Sequence, residues 1–327
     1  MVGLDEFPPL VSLAPMAGVT DVPFRRQVKA FGGKYSVSEM VASEALARDR
    51  IDMVRRAAGA GAIRPLVVQL AGRDARWMAE GARMAEQAGA DIIDINMGCP
   101  SKSVTSGLCG SALMREPEQA LKLIEATVAA TSLPVTLKMR LGWDETWINA
   151  PHIAERAEAV GVKMITVHGR TRCQFYRGAA DWAAIADVVC AVKIPVIANG
   201  DIASAADARE AMRLSGAAGV MIGRAAQGKP WLPAAIERAL RTGADITAPS
   251  PQRLLESLLE LYADALSFYP EGLGLRVARK HIAWTIDAVI GPSAREERKR
   301  LCMLTTPRDV ESGLIDLFGH FEQRRAA

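Results

Sequence analysis

The chain of 327 residues carries 40 Lys and Arg against 37 Asp and Glu, which gives a net charge of +3. Half of the residues are hydrophobic and 24% are charged, the composition of a folded globular protein. This balance excludes a disordered chain, a fibre and a small disulfide scaffold. The small net charge gives no reason by itself to expect a nucleic-acid partner.

The apolar runs and the spacing of the cysteines indicate the cellular compartment of the protein. No run approaches the roughly 18 consecutive apolar residues of a membrane span, and residues 1–9 lack the hydrophobic core of an export signal. The five cysteines are odd in number and show no C-x-x-C spacing, so we expect no metal site. We interpret Cys190 and Cys302 as small buried hydrophobic residues. The sequence predicts a reduced, cytoplasmic protein with no membrane partner.

Short apolar runs alternate with alanine-rich helical stretches over the first 240 residues. The runs are apolar on both faces, which is typical of buried parallel strands. Most of them start one βα unit after the previous one, and the one longer step contains a Gly- and Ser-rich loop at 98–110. The predicted strands are 11–15, 34–40, 65–70, 91–96, 134–140, 163–169, 195–199 and 218–223.

Eight such units predict an α/β fold, a closed (β/α)8 TIM barrel. A doubly wound open sheet is the alternative, which we disfavour because no G-x-G-x-x-G motif follows a strand. After the linker APSPQ at 248–252 the pattern is helical and has no strand-like run. We therefore expect a barrel domain over residues 1–245 and a small domain of three or four helices over 246–327.

Polar or small residues stand at nearly every strand end, where barrel enzymes carry their chemistry. After strands seven and eight, glycine, Asn, Asp and Arg suit a phosphate, because backbone N–H groups can approach it and arginine can pair with it. The strand-end residues are Pro15, Met16, Ala17, Glu39, Gln69, Asn96, Cys99, Lys138, Arg140, His168, Arg170, Asn199, Gly200, Asp201, Gly223 and Arg224.

Two of these residues indicate the kind of ligand. Lys138 lies in an otherwise apolar strand, so it needs an anion or polar acceptor if it faces the barrel interior; on the outer face it would extend to solvent. Gln69 suits a heterocyclic ligand. With no dinucleotide motif present, these features favour a flat phosphorylated mononucleotide such as FMN. His168 either binds cofactor or substrate or is a satisfied core histidine, and its strand-end position favours binding.

Cys99 follows the fourth strand directly, in NMGCPSKS at 96–103. Its loop lies over the predicted barrel mouth, and Lys102 with the Gly-rich loop would tune the thiol. We predict that Cys99 is a general acid. The alternative is that Cys99 has only a structural role, as a small residue in a turn before proline. Cys109 lies ten residues later and precedes a helical run, so we interpret it as structural.

Seven motifs in order resemble the tRNA-dihydrouridine synthases, and the pattern is most similar to the bacterial B subgroup. They extend over about residues 12–231, and a weaker resemblance continues through RVARKH at 276–281. The motifs are APMAGVTDVPFR (14–25), INMGCPSKS (95–103), GSALM (110–114), TLKMRLGW (136–143), TVHGRTR (166–172), IANGDI (197–202) and MIGRAAQGKPW (221–231).

The resemblance implies an FMN-binding catalytic barrel, a helical tRNA-binding domain, and NADPH-driven reduction of the C5–C6 double bond of uridines in tRNA. In that scheme hydride passes from flavin N5 to C6, and Cys99 protonates C5. Asn96 matches a uracil contact, and we add Arg140 and Arg170 as substrate contacts. The implied flavin contacts are Pro15, Met16, Ala17, Gln69, Lys138, His168, Asn199, Gly200, Asp201, Gly223 and Arg224. Cys109 departs from the family pattern, which leaves its role beside Cys99 open.

The helical segment carries 11 Lys and Arg against 11 Asp and Glu over residues 251–327, so it is neutral in sum. Its cations are concentrated. Arg276, Arg279 and Lys280 fall at i, i+3 and i+4, which predicts one helix face, and REERKR at 295–300 adds four more. With the resemblance above, we expect these residues to contact tRNA phosphates; solvated helix faces are the alternative. We expect a monomer.

Two other functions fit part of the pattern. An FMN barrel enzyme acting on a free pyrimidine or a small enone would keep the cofactor residues and the cysteine but would need no basic helix. A non-catalytic RNA-binding protein would hold no flavin. The second alternative is disfavoured because RNA binding alone requires neither Lys138 nor Asn199.

Overall fold

The computed structural model describes residues 7–59 and 61–326. Eight parallel strands form a closed barrel in which each strand pairs with the next and the last pairs with the first. The predicted (β/α)8 barrel is therefore confirmed, and every predicted strand overlaps an observed one. The strands are β1 (Val11–Leu13), β2 (Ser36–Ala42), β3 (Leu66–Ala71), β4 (Ile92–Met97), β5 (Val135–Arg140), β6 (Met164–His168), β7 (Val196–Asn199) and β8 (Gly219–Ile222).

Helices between the strands bury their apolar faces against the outside of the barrel. Polar side chains begin several of them: the carboxylate of Asp74 accepts hydrogen bonds from two backbone N–H groups of the first turn, and Ser204 caps another helix. These helices are α1 (Val22–Ala30), α2 (Ser43–Ala47), α3 (Ile51–Ala57), α4 (Ala75–Gln87), α5 (Lys102–Thr105), α6 (Pro117–Ala130), α7 (Ala150–Ala159), α8 (Ala186–Ala191), α9 (Ala205–Ser215) and α10 (Leu232–Thr242).

Side-chain alternation divides the barrel interior into two levels. In β4, Ile93 and Ile95 face the surrounding helices and join the main hydrophobic core. Ile92 points inward to a small apolar cluster at the lower end of the barrel. Asp94 and Asn96 share that inward face two and four residues further along, because successive side chains of a strand point to opposite faces. The upper half of the interior is thus polar and buried.

Four further helices follow the barrel within residues 246–326, which agrees with the predicted helical segment. They pack around a second hydrophobic cluster that includes Tyr262, Ile282, Leu314 and Phe318 and extends to Ala235 of α10. They are α11 (Pro251–Phe268), α12 (Leu273–Val289), α13 (Arg295–Met303) and α14 (Pro307–Ala326).

Helix α1 joins the barrel to the helical segment through polar contacts with α11. Arg26 pairs with Asp264 at 2.5 Å, and the hydroxyl of Ser257 donates to Gln27 at 2.7 Å. Just beyond α11, the Tyr269 hydroxyl donates to the buried carboxylate that caps α1. Because α1 directly follows the loop after β1, the helical segment bears on one edge of the barrel mouth.

The cysteine expectations are borne out only in part. Cys302 is half-buried, but Cys190 is exposed, so its interpretation as a buried residue is wrong. The apolar run around Cys190 belongs to the short amphipathic helix α8, which buries Val188 instead. Within the two described ranges, no helix is long and apolar enough to cross a membrane.

One close approach between barrel and helical segment gives a test of this packing. Gly228 has φ +69°, and a Cβ there would lie 2.3 Å from the carbonyl oxygen of Trp284 in α12. Gly243 has a similar φ of +73° with nothing within 4 Å. We expect Gly243→Ala to cost about 1 kcal/mol of unfolding free energy from backbone strain.

Gly228→Ala should cost about 2 kcal/mol more than Gly243→Ala, because α12 must also move away from the barrel. Urea denaturation of both variants measures the difference. Equal losses would show that the Gly228–Trp284 approach does not constrain the two parts.

Candidate active site

Five predicted site residues gather at the carboxyl ends of consecutive strands. Each lies within the last three residues of its strand, and all five are buried: Gln69 in β3, Asn96 in β4, Lys138 in β5, His168 in β6 and Asn199 in β7. Their neighbours in register include the Asn96–Lys138 and His168–Asn199 pairs. The parallel barrel therefore brings residues that are far apart in sequence onto one polar ring.

Lys138 points into the barrel. Its Nζ donates to Oδ1 of Asn199 at 2.9 Å, and Nδ2 of Asn199 donates to the backbone carbonyl of Met221 at 2.8 Å. Burial, with the nearby charge of Arg140, lowers the pKa of Lys138 to about 8, although Asp94 acts in the opposite direction. The ammonium group is thus held by one neutral amide at the centre of the site.

Asp201 links two arginines beside this ring. Arg170 is buried and pairs with both Asp201 oxygens, while the half-exposed Arg224 donates to Oδ1 of Asp201 at 3.1 Å. Partial burial acts to raise the pKa of Asp201, but the Arg170 hydrogen bond and the two positive charges outweigh it, so the pKa is lowered. The carboxylate is ionised and fixes both guanidinium groups.

His168 lies among these cations. Burial, followed by the charges of Lys138, Arg140 and Arg170, lowers its pKa well below the ordinary value. The imidazole is therefore neutral at pH 7. Gly200 passes close to it with φ +119°, where an alanine Cβ would lie 2.9 Å from the His168 ring. Glycine is the residue that fits this approach.

Cys99 lies just above the polar ring of strand-end side chains, and its thiol is half-buried and free. The backbone N–H groups of Gly98 and Cys99 donate to Oδ1 of Asn96 at 3.2 and 3.1 Å. The carbonyl of Cys99 accepts from both the backbone N–H and the hydroxyl of Ser111. The side chain of Lys102, predicted to tune the thiol, lies outside the described part of the chain.

Cys109 is also half-buried and free. Its thiol donates to the carbonyl of Gly107 at 3.4 Å, and burial raises its pKa. It lines a cavity of about 240 Å³ together with Arg73 and Trp77, beside the ends of β2 and β3. Cys109 is therefore a protonated thiol held by its own loop.

Arg140, a predicted substrate contact, joins two loops. Its Nε donates to the carbonyl of Gly98 at 2.8 Å, and its Nη1 donates to the carbonyls of Thr171 and Phe175 at 2.8 and 2.9 Å. Burial lowers its pKa to about 10. The structure thus gives Arg140 three backbone partners, and the substrate contact stays a prediction.

The loop after β1 carries Pro15 and Met16, which are half-buried, and Ala17, which is exposed. The next backbone N–H, of Gly18, donates to Oε1 of the buried Glu39 at 2.5 Å. The sequence places Glu39 at a strand end but does not indicate its role, because its partner is a backbone group that sequence patterns do not reveal.

The three cations predicted on one face of α12 have different surroundings. Arg276 is exposed. Arg279 donates to the backbone carbonyl of Leu304 at 3.1 Å. Lys280 reaches the barrel, with its Nζ 3.2 Å from the position of a Cβ on Gly18. Their contact with RNA stays a prediction, and Arg276 is the one turned to solvent.

Two further residues beside the site are not identified by the sequence analysis. Asp94 is buried two residues before Asn96 on the same strand face, a spacing that the sequence contained. Tyr176 is half-exposed, with the guanidinium groups of Arg224 and Arg140 at 4.7 and 5.6 Å from its ring and His168 at 6.3 Å. It lies in an irregular loop after β6, where no periodicity marks it.

This arrangement can be compared with known proteins. The family model described as Dihydrouridine synthase matches residues 12–314. The chain belongs to the dihydrouridine synthase family. The resemblance predicted from the seven motifs is therefore confirmed, and the match extends through most of the helical segment.

Relatives cover nearly the whole chain. A probable tRNA-dihydrouridine synthase of Rhodobacter capsulatus is 58% identical over 98% of this chain and 97% of that protein. One from Rhizobium leguminosarum is 50% identical over 97% and 98%. The tRNA-dihydrouridine synthase B of Pseudomonas putida is 43% identical over 96% and 91%. Among solved structures, a 2-naphthoyl-CoA reductase complex superposes with a TM-score of 0.57 at 10% identity, covering 73% of this chain and 51% of that one, which shows the fold alone.

The buried ammonium of this family member gives a pH-dependent prediction. Lys138 has a lower pKa folded than its ordinary value of 10.5. Between pH 8 and pH 10.5 the unfolded chain therefore binds more protons than the folded chain, and this residue's contribution to stability rises with pH.

We expect Lys138→Met to be more stable than the wild type at pH 7 and this advantage to shrink by about 2 kcal/mol from pH 8 to pH 10. Chemical denaturation across that range measures it. An advantage that stays constant with pH would contradict the lowered pKa.

Proposed function

We propose that this protein is a tRNA-dihydrouridine synthase that reduces the C5–C6 double bond of specific uridines in tRNA. The observation that carries the proposal is the position of Cys99, on the loop directly above a ring of buried cations and amides, in a chain of this family. Relatives named as tRNA-dihydrouridine synthases over nearly their whole length support the substrate class.

The residues present fit FMN as cofactor. Besides burial, four cations lower the pKa of the neutral His168: Lys138, Arg140, Arg170 and Arg224. Positive charge is therefore concentrated at the mouth, and an anionic phosphate would balance it. Arg224, half-exposed beside β8, and the backbone of Gly223 would hold the phosphate. The ring contacts would come from Gln69, Lys138 and His168 on one side and from Pro15, Met16 and Ala17 on the other; Asn199, Gly200 and Asp201 would hold the ribityl chain.

When bound, FMN would supply the chemistry of hydride transfer, with NADPH as the reductant and C6 of the uracil as the acceptor. Cys99 gives the proton of its thiol to C5, and the thiolate regains a proton from solvent, so that both hydrogens of the product are accounted for. Asn96 and Arg170 would orient the base, which must leave the RNA stack to reach the mouth. The buried ammonium of Lys138 would stabilise negative charge that develops on the uracil during reduction.

The helical segment would carry the tRNA. Arg276 is exposed on α12, and α12 approaches the loop after β1 through Lys280. Phosphates that contact this helix would therefore lie beside the barrel mouth. Incubation with FMN, NADPH and unmodified transcribed tRNA, compared with free uridine, tests the substrate. Dihydrouridine in the tRNA alone supports the proposal; equal reaction of the free nucleoside would instead indicate an enzyme of small pyrimidines.

Cys99→Ala should bind flavin and oxidise NADPH at the wild-type rate but form no dihydrouridine, because the proton for C5 is lost. Cys109→Ala is the matched control, since its thiol is held by Gly107 in the same loop. It should keep dihydrouridine formation. Mass spectrometry of the digested tRNA measures the product, and full activity of Cys99→Ala would exclude this thiol as the acid.

Arg276→Glu should weaken tRNA binding and lower the slope of log affinity against log salt by about one. Arg213→Glu makes the same change on α9, where Arg213 pairs with Glu210 on the outer face of the barrel, and should leave the slope unchanged. Filter binding at several salt concentrations measures both. Equal slopes for the two variants would place the RNA elsewhere.

A further inference from the structure

A continuous chain of side-chain hydrogen bonds crosses the upper barrel interior and ends at the backbone of Cys99. Nε2 of Gln69 donates to Oδ2 of Asp94 at 2.6 Å, and Nδ2 of Asn96 donates to Oε1 of Gln69 at 2.6 Å. Oδ1 of Asn96 accepts the backbone N–H groups of Gly98 and Cys99. Asp94 is separated from the Cys99 backbone by three hydrogen bonds and has no part in the proposed chemistry.

The chemistry of the two ends fixes the direction of every bond between them. The N–H groups of Gly98 and Cys99 can only donate, so Asn96 must turn its oxygen to them and its NH2 to Gln69. Gln69 must then turn its oxygen to Asn96 and its NH2 to residue 94. Residue 94 must therefore be an acceptor, and the carboxylate of Asp94 is one.

The acceptor end is itself held. The hydroxyl of Thr136 donates to the other oxygen of Asp94 at 2.6 Å, and Asp94 lies between Gln69 and Thr136 in the register of β3, β4 and β5. Burial raises the pKa of Asp94, while Thr136, Gln69 and Lys138 oppose that rise. Both protonation states leave an oxygen to accept from Gln69, so the direction of the chain does not depend on the charge.

We infer that Asp94 is a positioning residue for Cys99: it fixes the amide orientations of Gln69 and Asn96 and, through them, the backbone at Gly98 and Cys99. Without an acceptor at residue 94, a flipped Gln69 would present its NH2 to that of Asn96. Asn96 would then lose the partner that keeps its oxygen on the Cys99 backbone. The inference that this matters for turnover rests on the proposed function; the positioning itself does not.

Three variants of Asp94 separate its acceptor role from its bulk. Asp94→Leu and Asp94→Val remove the acceptor and keep the site filled with an apolar side chain; valine suits a buried strand, which guards against failure of the leucine variant to fold. Asp94→Asn keeps an oxygen for Gln69 and turns its NH2 to the Thr136 hydroxyl, which can accept. It should therefore restore the wild-type behaviour.

Thr136→Val is the matched control. Valine has the shape of threonine, so this variant removes one hydrogen bond from the same buried cluster but leaves the bond between Asp94 and Gln69. Any effect of general destabilisation should appear in this control as well as in the apolar variants of Asp94.

Amide hydrogen exchange on the protein alone, read at Gly98 and Cys99 by NMR, measures the positioning. In Asp94→Leu or Asp94→Val we expect exchange at these two amides to be about tenfold faster than in the wild type, with Asp94→Asn and Thr136→Val unchanged. Unchanged exchange in the apolar variants, or equal acceleration in Thr136→Val, would overturn the inference. So would failure of both apolar variants to fold when Thr136→Val folds, because Asp94 would then be required for folding itself.

Turnover is the second measurement. Misplacement of the acid should lower kcat for tRNA by about tenfold to a hundredfold and leave KM unchanged, and Asp94→Asn should restore kcat. Faster exchange with no dihydrouridine activity even in the wild type would leave the positioning intact and refute the proposed function. Faster exchange with unchanged kcat would show that Asp94 does not position the acid.

Discussion

The buried ammonium of Lys138 is the constraint on which the upper barrel depends. A cation removed from water needs polar partners, and the structure gives it the amide oxygen of Asn199. Asn199 is fixed in turn by the carbonyl of Met221, so one charge ties β5 to β7 and β8. The incomplete compensation of this charge is what makes the mouth suited to an anion.

The cations of the site differ in how far they are exposed to solvent. Lys138 is buried inside strand β5, Arg170 is buried beside Asp201, and Arg224 is half-exposed at the rim. Arg140 donates its hydrogen bonds to backbone carbonyls of two loops, one of which is the loop of Cys99. Its positive charge still contributes to the electrostatic field of the site. A phosphorylated ligand that enters from solvent would therefore first meet Arg224, the most exposed of these cations.

Most of the fold followed from the sequence because parallel strands buried on both faces are continuous apolar runs. The sequence also places Lys138 and His168 near the ends of buried strands, where a polar residue requires a partner; their roles in the site stay predictions. The spacing places Asp94 on the same strand face as Asn96, but the sequence does not reveal the partners of Asp94 and of Glu39, which are an amide side chain on another strand and a backbone N–H. The surroundings of Arg279 and Lys280 were equally hidden: helical spacing places residues on a face but does not say what packs there.

Local contacts explain why the net charge of +3 says little about the partner. Two of the cations in REERKR pair with carboxylates, Arg298 with Asp287 and Lys299 with Glu296. Arg276 is exposed on the helix that carries Lys280 to the edge of the loop after β1. A polyanion contacts one face of a protein, so the charge of that face matters more than the net charge of the chain. The face where helix α12 adjoins the barrel mouth places an exposed cation beside the site. Because Lys280 also lies against Gly18, whose N–H is held by Glu39, movement of α12 on binding would act on the Pro15–Ala17 loop that is proposed to hold the flavin.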